Sequence, residues 1–76
     1  MDELIKAIVV PLVDYPNDIQ LSKQEDAEGV TYVLTVNKQD MGKVIGKKGR
    51  VAKAVRAVVR AAGKARHENV QLLIRE

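Results

Sequence analysis

The chain has 76 residues, of which 46% are apolar and 30% are charged, and its net charge is +3. This balance is typical of a small folded domain, and the absence of cysteine excludes a disulfide scaffold, a thiolate metal site and a cysteine nucleophile. No apolar run is long enough to span a membrane and the start is acidic, so we expect a cytoplasmic protein. With two tyrosines as the only aromatic residues, recognition by stacking bases on a row of rings is nearly excluded.

The first half of the chain predicts one helix and two strands. Helical spacing of apolar residues predicts a helix over 2–13, whose last turn Pro11 should shorten because it lacks an N–H. An alternating pattern predicts a strand over 19–23, and residues 26–29 are typical of a hairpin loop. The β-branched and aromatic residues over 30–36 predict the second strand.

The second half predicts two more helices. Asp40 is a good N-cap for a short helix over 41–45, which should stop at Gly46. A strong helical period then predicts a long helix over 50–66. The apolar stripe expected to face the sheet consists of Val51, Val55, Val58 and Ala62.

A final strand over 70–74 completes the order helix, strand, strand, helix, helix, strand. The first two strands should form an antiparallel hairpin, whereas the second and third are joined through two helices, which favours a parallel, right-handed crossover. The sequence therefore predicts an α+β fold, a three-stranded mixed sheet with all three helices on one face. The residues expected on the other face are Thr31, Val33, Thr35 and Gln71.

The charge is unevenly distributed along the chain. Residues 38–66 contain ten basic residues and a single acid, Asp40, for a net charge of +9, while the remaining residues carry a net charge of −6. A segment this basic attracts polyanions. The basic residues are Lys38, Lys43, Lys47, Lys48, Arg50, Lys53, Arg56, Arg60, Lys64 and Arg66.

The string Gly46-Lys47-Lys48-Gly49 joins the two predicted helices and is the candidate site. Glycine supplies the unusual backbone angles of a tight connection, and its missing side chain lets another backbone approach closely. The free N–H groups at the start of the next helix and the two lysines add positive charge at the same place. The loop suits a passing phosphodiester backbone; the alternative is a plain turn with two solvated lysines.

The longer string Val44-Ile45-Gly46-Lys47-Lys48-Gly49-Arg50-Val51-Ala52 resembles the core signature of KH domains, and the order of elements is similar to that of the type II, prokaryotic variety. The resemblance covers residues 1–76 as a single KH domain. The small size and the string from Asp40 to Arg50 resemble the KhpA family of small bacterial RNA-binding proteins. KH domains clamp about four nucleotides of a single strand, with the GXXG loop on the backbone.

The resemblance implies which residues contact RNA. Lys43 would reach a phosphate, and the apolar residues beside it would form the wall of the groove that holds the bases. Ala52 stands where the common KH pattern has isoleucine, which makes that wall shallower. As a structural alternative, Ile45 and Val51 are assigned to the core. The residues implied for the loop and the helix before it are Gly42, Lys43, Val44, Ile45, Gly46, Lys47, Lys48 and Gly49.

Basic residues on the long helix extend this site. Arg50, Lys53 and Arg56 lie within two turns of the loop and could continue a phosphate track. Arg60 and Lys64 lie on the same stripe, where a solvated face and a contact are equally good explanations.

The apolar arc of the long helix is broader than one sheet needs, and its alanines would let another helix approach. We therefore predict a homodimer, or a heterodimer with a related KH protein, with Ala52, Val55 and Val59 at the interface. The alternative is that the alanines serve only as helix formers.

These features predict a single-stranded RNA-binding protein without a cofactor, a metal or a small-molecule substrate. An enzyme is not expected, because the glycine spacing does not match a Walker A loop and no carboxylate pair or Ser/His constellation surrounds the loop. The family resemblance implies a post-transcriptional regulator or RNA chaperone acting with a larger KhpB/Jag protein and linked to cell shape and cell-wall regulation. The alternative is a dimerising interaction module whose basic face meets an acidic protein.

Overall fold

The fold is that of a computed structural model, which describes residues 1–76. The three α-helices are α1 (Asp2–Val9), α2 (Met41–Ile45) and α3 (Arg50–Ala65). The three strands are β1 (Gln20–Asp26), β2 (Gly29–Thr35) and β3 (Val70–Arg75). The sheet order is β1-β2-β3, with β1 antiparallel to β2 and β2 parallel to β3. The predicted α+β fold with a mixed three-stranded sheet is confirmed.

The first helix and the first hairpin differ from their predicted bounds. The α-helix ends at Val9, and Val10–Leu12 continues as a 3₁₀ turn that contains Pro11. The hairpin loop shrinks to two residues because Asp26 pairs with Gly29 in the sheet. The Asp26 Oδ1 atom accepts hydrogen bonds from the N–H groups of Glu28 (2.8 Å) and Gly29 (3.2 Å), which closes the turn.

The core lies between the sheet and the helices. Tyr32, Leu34 and Val36 alternate toward the helices and are buried, as are Ile5 and Val9 of the first helix. The residues predicted on the other face lie there, since Thr31, Val33 and Thr35 alternate with the buried positions and Thr31 pairs with Gln71. None of the helices has the length and apolar character needed to cross a bilayer.

Helix α3 is rotated relative to the predicted stripe. Its buried residues are Ala52, Val55, Val59 and Gly63, whereas Val58 is 45% exposed. This corresponds to a rotation of about 75° at 100° per residue. The cause is the close approach of α3 to β3, since a Cβ atom on Gly63 would lie 2.7 Å from Val70 Cγ2. The helix therefore turns Gly63, which has no side chain, toward β3.

This rotation overturns the predicted interface residues. Ala52, Val55 and Val59 are 2%, 4% and 0% exposed and pack inside the chain itself. A partner could not reach Ala52 or Val59 without disrupting the core, so their assignment to a dimer interface is wrong. Val55 is also largely buried, but it lines an apolar groove that α3 shares with α1.

Asp40 has a different role from the predicted cap. It precedes α2 but makes no capping hydrogen bond. Its fully buried carboxylate instead accepts hydrogen bonds from the N–H groups of Asp14 and Tyr15, both at 3.0 Å. Asn37 caps the 3₁₀ turn Lys38–Asp40, which precedes α2. Its Oδ1 atom accepts a hydrogen bond from the Gln39 N–H at 2.8 Å. Asp40 thus holds the segment after α1 close to the start of α2.

Candidate nucleic-acid interface

The loop between α2 and α3 has the backbone conformation for which glycine is suited. Gly46 and Gly49 have φ angles of 77° and 75°, and Lys48 between them has a φ of 58°. The Gly46 N–H donates to the Gly42 carbonyl at 2.9 Å, and the Gly49 N–H donates to the Gly46 carbonyl at 3.1 Å. A lysine in the left-handed region is uncommon, so the loop holds the tip in a strained conformation.

The two glycines of the loop have different surroundings. A Cβ atom on Gly46 would lie 2.4 Å from Val51 Cγ2 and 2.9 Å from the Val51 backbone nitrogen. A Cβ atom on Gly49 would have no atom within 4 Å. Gly46 therefore lets the loop pack on the first turn of α3, while Gly49 presents an open surface.

The loop is also positively charged. Lys47 and Lys48 are exposed, and neither takes part in an ion pair. Helix α3 begins directly after them without a side-chain cap at Gly49, so the positive end of its dipole lies at the loop, although the Arg50 N–H already donates to the Lys47 carbonyl. Arg50 is exposed in the same turn.

The residues of α2 that the resemblance assigns to RNA binding have different surroundings in the structure. Gly42 is exposed, and a Cβ atom there would meet nothing within 4 Å. Ile45 is half-buried and packs against the core, as the alternative assignment of this residue to the core predicts. Val44 is 1% exposed and lies in the core, so its expected place in the wall of the groove is wrong.

Lys43 has a partner that sequence reasoning missed. Its Nζ atom forms a hydrogen-bonded ion pair with the carboxylate of Asp14. The hydrogen bond to Asp14 is the main cause that raises the pKa of Lys43 above its ordinary value. Both side chains are exposed, so the pair adds little stability. No local pattern joins residues 29 positions apart; Asp40 brings them together by holding the Asp14 segment.

Arg56 lies in the seam between α3 and the free edge of the sheet. Its Nε atom donates to the Leu72 carbonyl at 3.2 Å. The carbonyls of Asn69 and Arg75 accept bonds from the β2 side, so the alternating Leu72 carbonyl faces the unpaired edge. Lys53 is exposed one turn closer to the loop. Of the three basic residues predicted for α3, Arg56 therefore lies in this seam, whereas Arg50 lines a groove on another side of the helix.

On another side of α3 lies an apolar groove of about 370 Å³ that it shares with α1. Leu12 is 37% exposed and Val58 is 45% exposed there. Sequence reasoning missed this surface because the predicted rotation of α3 turned Val58 toward the sheet. The lining residues are Ile8, Leu12, Arg50, Val51, Ala54, Val55 and Val58.

Comparison with known proteins agrees with the fold and identifies the family. Era from Aquifex aeolicus has a TM-score of 0.69 over 96% of this chain and 29% of its own, at 17% identity, which supports the type II KH fold alone. The protein named RNA-binding protein KhpA in Listeria monocytogenes is 49% identical over all of both chains. That of Bacillus subtilis is 47% identical over 97% of this chain and 91% of its own. The model of the KhpA/KhpB KH-domain family matches residues 2–74, and this chain belongs to that family.

Proposed function

We propose that this chain binds single-stranded RNA and that its Gly46-Lys47-Lys48-Gly49 loop holds the phosphate backbone. The observation that carries the proposal is the combination of two exposed, unpaired lysines with the open surface at Gly49, at the N-terminal, positive end of a helix. The bacterial relatives are named as RNA-binding proteins, which supports the same ligand here.

In this proposal the strand passes over Gly49, where the absence of a side chain lets a phosphate approach the backbone. Lys47 and Lys48 neutralise the phosphates, and Arg50 continues the contact along α3. Phosphate contacts fix a strand in place without reading its sequence. Tyr32 is buried and leaves Tyr15, which is 43% exposed, as the single aromatic ring at the surface, so no row of rings can stack bases and we expect modest affinity and little sequence preference.

The loop proposal is tested with the double substitution of Lys47 and Lys48 to aspartate. Both side chains are exposed at the loop tip, so the fold should persist while binding of a labelled single-stranded RNA is lost. The matched control changes Lys6 and Lys38, which are also exposed, to aspartate. Fluorescence anisotropy measures the affinity and circular dichroism the fold. RNA binding by the loop variant equal to that of the parent would refute the proposal.

We further propose a homodimer through the apolar groove between α1 and α3, which Val55 lines, in place of the predicted contact through Ala52 and Val59. A domain of this size buries only about 60% of the surface of its unfolded chain, so it gains from a second copy. The exposed Leu12 and Val58 and the small Ala54 suit close packing across a two-fold axis. Two loops on one particle would raise avidity for RNA.

The dimer is tested with Val58→Glu, which should yield a monomer that keeps its helical signal. Val10→Glu is the matched control, because Val10 is 41% exposed and lies outside the groove. Analytical ultracentrifugation at micromolar concentration gives the mass of each. A monomeric parent, or a dimer that both variants retain, would contradict this interface.

In the cell we propose a cytoplasmic, non-enzymatic RNA regulator or chaperone that acts with a KhpB/Jag-type partner in the control of cell shape and the cell wall. The support is the family itself, whose description joins KhpA and KhpB. Crosslinking and sequencing of bound RNA, with affinity purification of the tagged chain, tests this role. The alternative of an acidic protein partner on the basic face predicts that no RNA is recovered.

A further inference from the structure

The segment between α1 and β1 carries an acidic side chain to a fixed place beside α2. The Asp14 and Tyr15 N–H groups each donate to the fully buried carboxylate of Asp40 at 3.0 Å. The Tyr15 hydroxyl donates to Gln39 Oε1 at 3.1 Å, which adds a third link to the residues that precede α2. The backbone of Asp14 is therefore held in place, although its side chain is 68% exposed.

The acid at this place neutralises a cation close to the loop. The Asp14 carboxylate forms a hydrogen-bonded ion pair with the Nζ atom of Lys43, which lies less than one helical turn before Gly46. The other ion pair of the structure joins two residues of β1, so Lys43 is the one cation of residues 38–66 that has an acidic partner. The basic surface next to the loop is thus interrupted at Lys43.

The stability of the fold does not account for this pair. An exposed ion pair contributes little to stability, because water screens both charges and two long side chains lose freedom. Asp40 already holds the segment through two backbone hydrogen bonds, which do not involve the Asp14 carboxylate. The contact with Lys43 is the one interaction that this carboxylate makes. The Asp14 side chain is therefore not needed to fix the segment beside α2.

The pair does, however, place Asp14 in competition with an anionic ligand. A phosphate and a carboxylate offer an ammonium group the same kind of charged oxygen acceptor. A strand that recruits Lys43 has to break the pair and approach the negative charge that remains on Asp14. Because both side chains are exposed, this competition changes the RNA affinity by a small factor and does not prevent binding.

We propose that Asp14 is a positioning residue that restrains RNA binding, because it holds Lys43 against the segment after α1 and withholds the charge of Lys43 from the strand. The inference rests on the proposed function and adds a built-in limit on the affinity of that site. The resemblance assigns Lys43 to a phosphate, and Asp14 sets how far that contact contributes. The chain thus binds RNA less tightly than its basic residues alone would allow.

The test is Asp14→Asn, which removes the charge and keeps the shape of the side chain. Fluorescence anisotropy with a labelled oligouridine at low salt should give an affinity about 1.4- to 5-fold higher than that of the parent. Lys43 then adds one phosphate contact, so the log–log salt slope steepens by about 0.7. Raising salt from about 50 to about 200 mM should therefore weaken the variant about 2.6-fold more than the parent.

Two comparisons isolate the contact with Lys43. The matched control is Asp18→Asn, since Asp18 is an exposed acid of the same segment whose carboxylate accepts from Asn37 Nδ2 at 2.8 Å and pairs with no cation. This control should keep the salt slope of the parent. The second comparison repeats Asp14→Asn in the Lys43→Gln background, where the steepening of the slope should disappear.

Each outcome decides a separate question. An affinity and a salt slope that Asp14→Asn shares with the parent would overturn the restraint while leaving the loop proposal intact. Equal steepening in Asp18→Asn, or steepening that persists in the Lys43→Gln background, would also overturn it, because net charge and not the pair would then explain the effect. A parent that binds no RNA would refute the proposed function, and the restraint with it. Circular dichroism checks that each variant keeps the fold.

Discussion

The two ends of the GKKG loop share a positive φ angle, but they differ in ψ, which is 174° at Gly46 and 15° at Gly49, and in environment. Gly46 and Gly49 have nearly equal φ angles of 77° and 75°. The first glycine packs on Val51, which would lie 2.4 Å from an added Cβ atom, while the second has no atom within 4 Å of that position. One end of the motif is therefore a packing requirement of the fold, and the other is a surface that a ligand could approach.

Gly42 provides an internal reference for this comparison. It lies within α2, its φ is not positive, and an added Cβ atom would have no atom within 4 Å. A side chain added at these three positions would therefore meet different conditions. It would be strained and crowded at Gly46, strained but uncrowded at Gly49, and neither strained nor crowded at Gly42. Alanine substitutions at the three positions therefore distinguish the effects of crowding, of backbone strain and of blocked ligand approach on stability and on RNA binding.

The largest effect is expected for Gly46→Ala. A residue with a Cβ atom at the φ of 77° and ψ of 174° that Gly46 adopts is strained by about 1–3 kcal/mol, and the contact with Val51 adds an overpacking cost of about 1–3 kcal/mol. We expect the free energy of unfolding to fall by about 3 kcal/mol, measured by urea denaturation. A loss below about 1 kcal/mol would show that the loop relaxes freely away from Val51 and that this end is not a packing requirement.

A smaller loss of stability, but a clear loss of binding, is expected for Gly49→Ala. The backbone strain alone lowers the free energy of unfolding by about 1 kcal/mol. The new methyl group occupies the surface proposed for a phosphate, so RNA affinity should fall about tenfold, which corresponds to about 1.4 kcal/mol. If both loop alanine variants that remain folded bind RNA like the parent, close backbone approach is not the mechanism and the glycines only form the turn.

The smallest effect is expected for Gly42→Ala, with opposite signs for stability and binding. Alanine in an uncrowded helical position should raise the free energy of unfolding by about 0.5–1 kcal/mol. If Gly42 contributes to the RNA surface as the resemblance implies, the methyl group should also weaken RNA binding by a small factor. Denaturation and anisotropy on one preparation measure both. Unchanged RNA affinity would remove Gly42 from the site.

Local patterns were sufficient for the order of elements and for the candidate loop. The β-branched run predicted β2, and the polar residues before Met41 together with Gly46 predicted the bounds of α2, Met41–Ile45. The crossover rule then predicted the parallel pairing of β2 with β3. Each of these depends on neighbouring residues or on chain connectivity, which the sequence contains directly.

The rotation of α3 and the partners of its neighbours depended on the tertiary structure. A helical wheel identifies apolar residues, but the choice of Ala52 and Gly63 over Val51 and Val58 for the buried side follows from how closely α3 approaches β3. That approach depends on the shape of the sheet, which no local pattern contains.

By itself, the sequence determined the α+β class and the position of the phosphate-binding candidate, since these follow from periodicity, glycine spacing and the run of basic residues. The family followed from the resemblance of the string from Asp40 to Arg50 to known KH proteins. Only the tertiary structure decided that Asp40 holds the Asp14 segment and does not cap α2, and that Asp14 thereby reaches Lys43. It also decided that the cations of α3 border the free edge of β3. The physical reason is that such contacts join residues distant in the chain, and their geometry arises only when helices and sheet pack together.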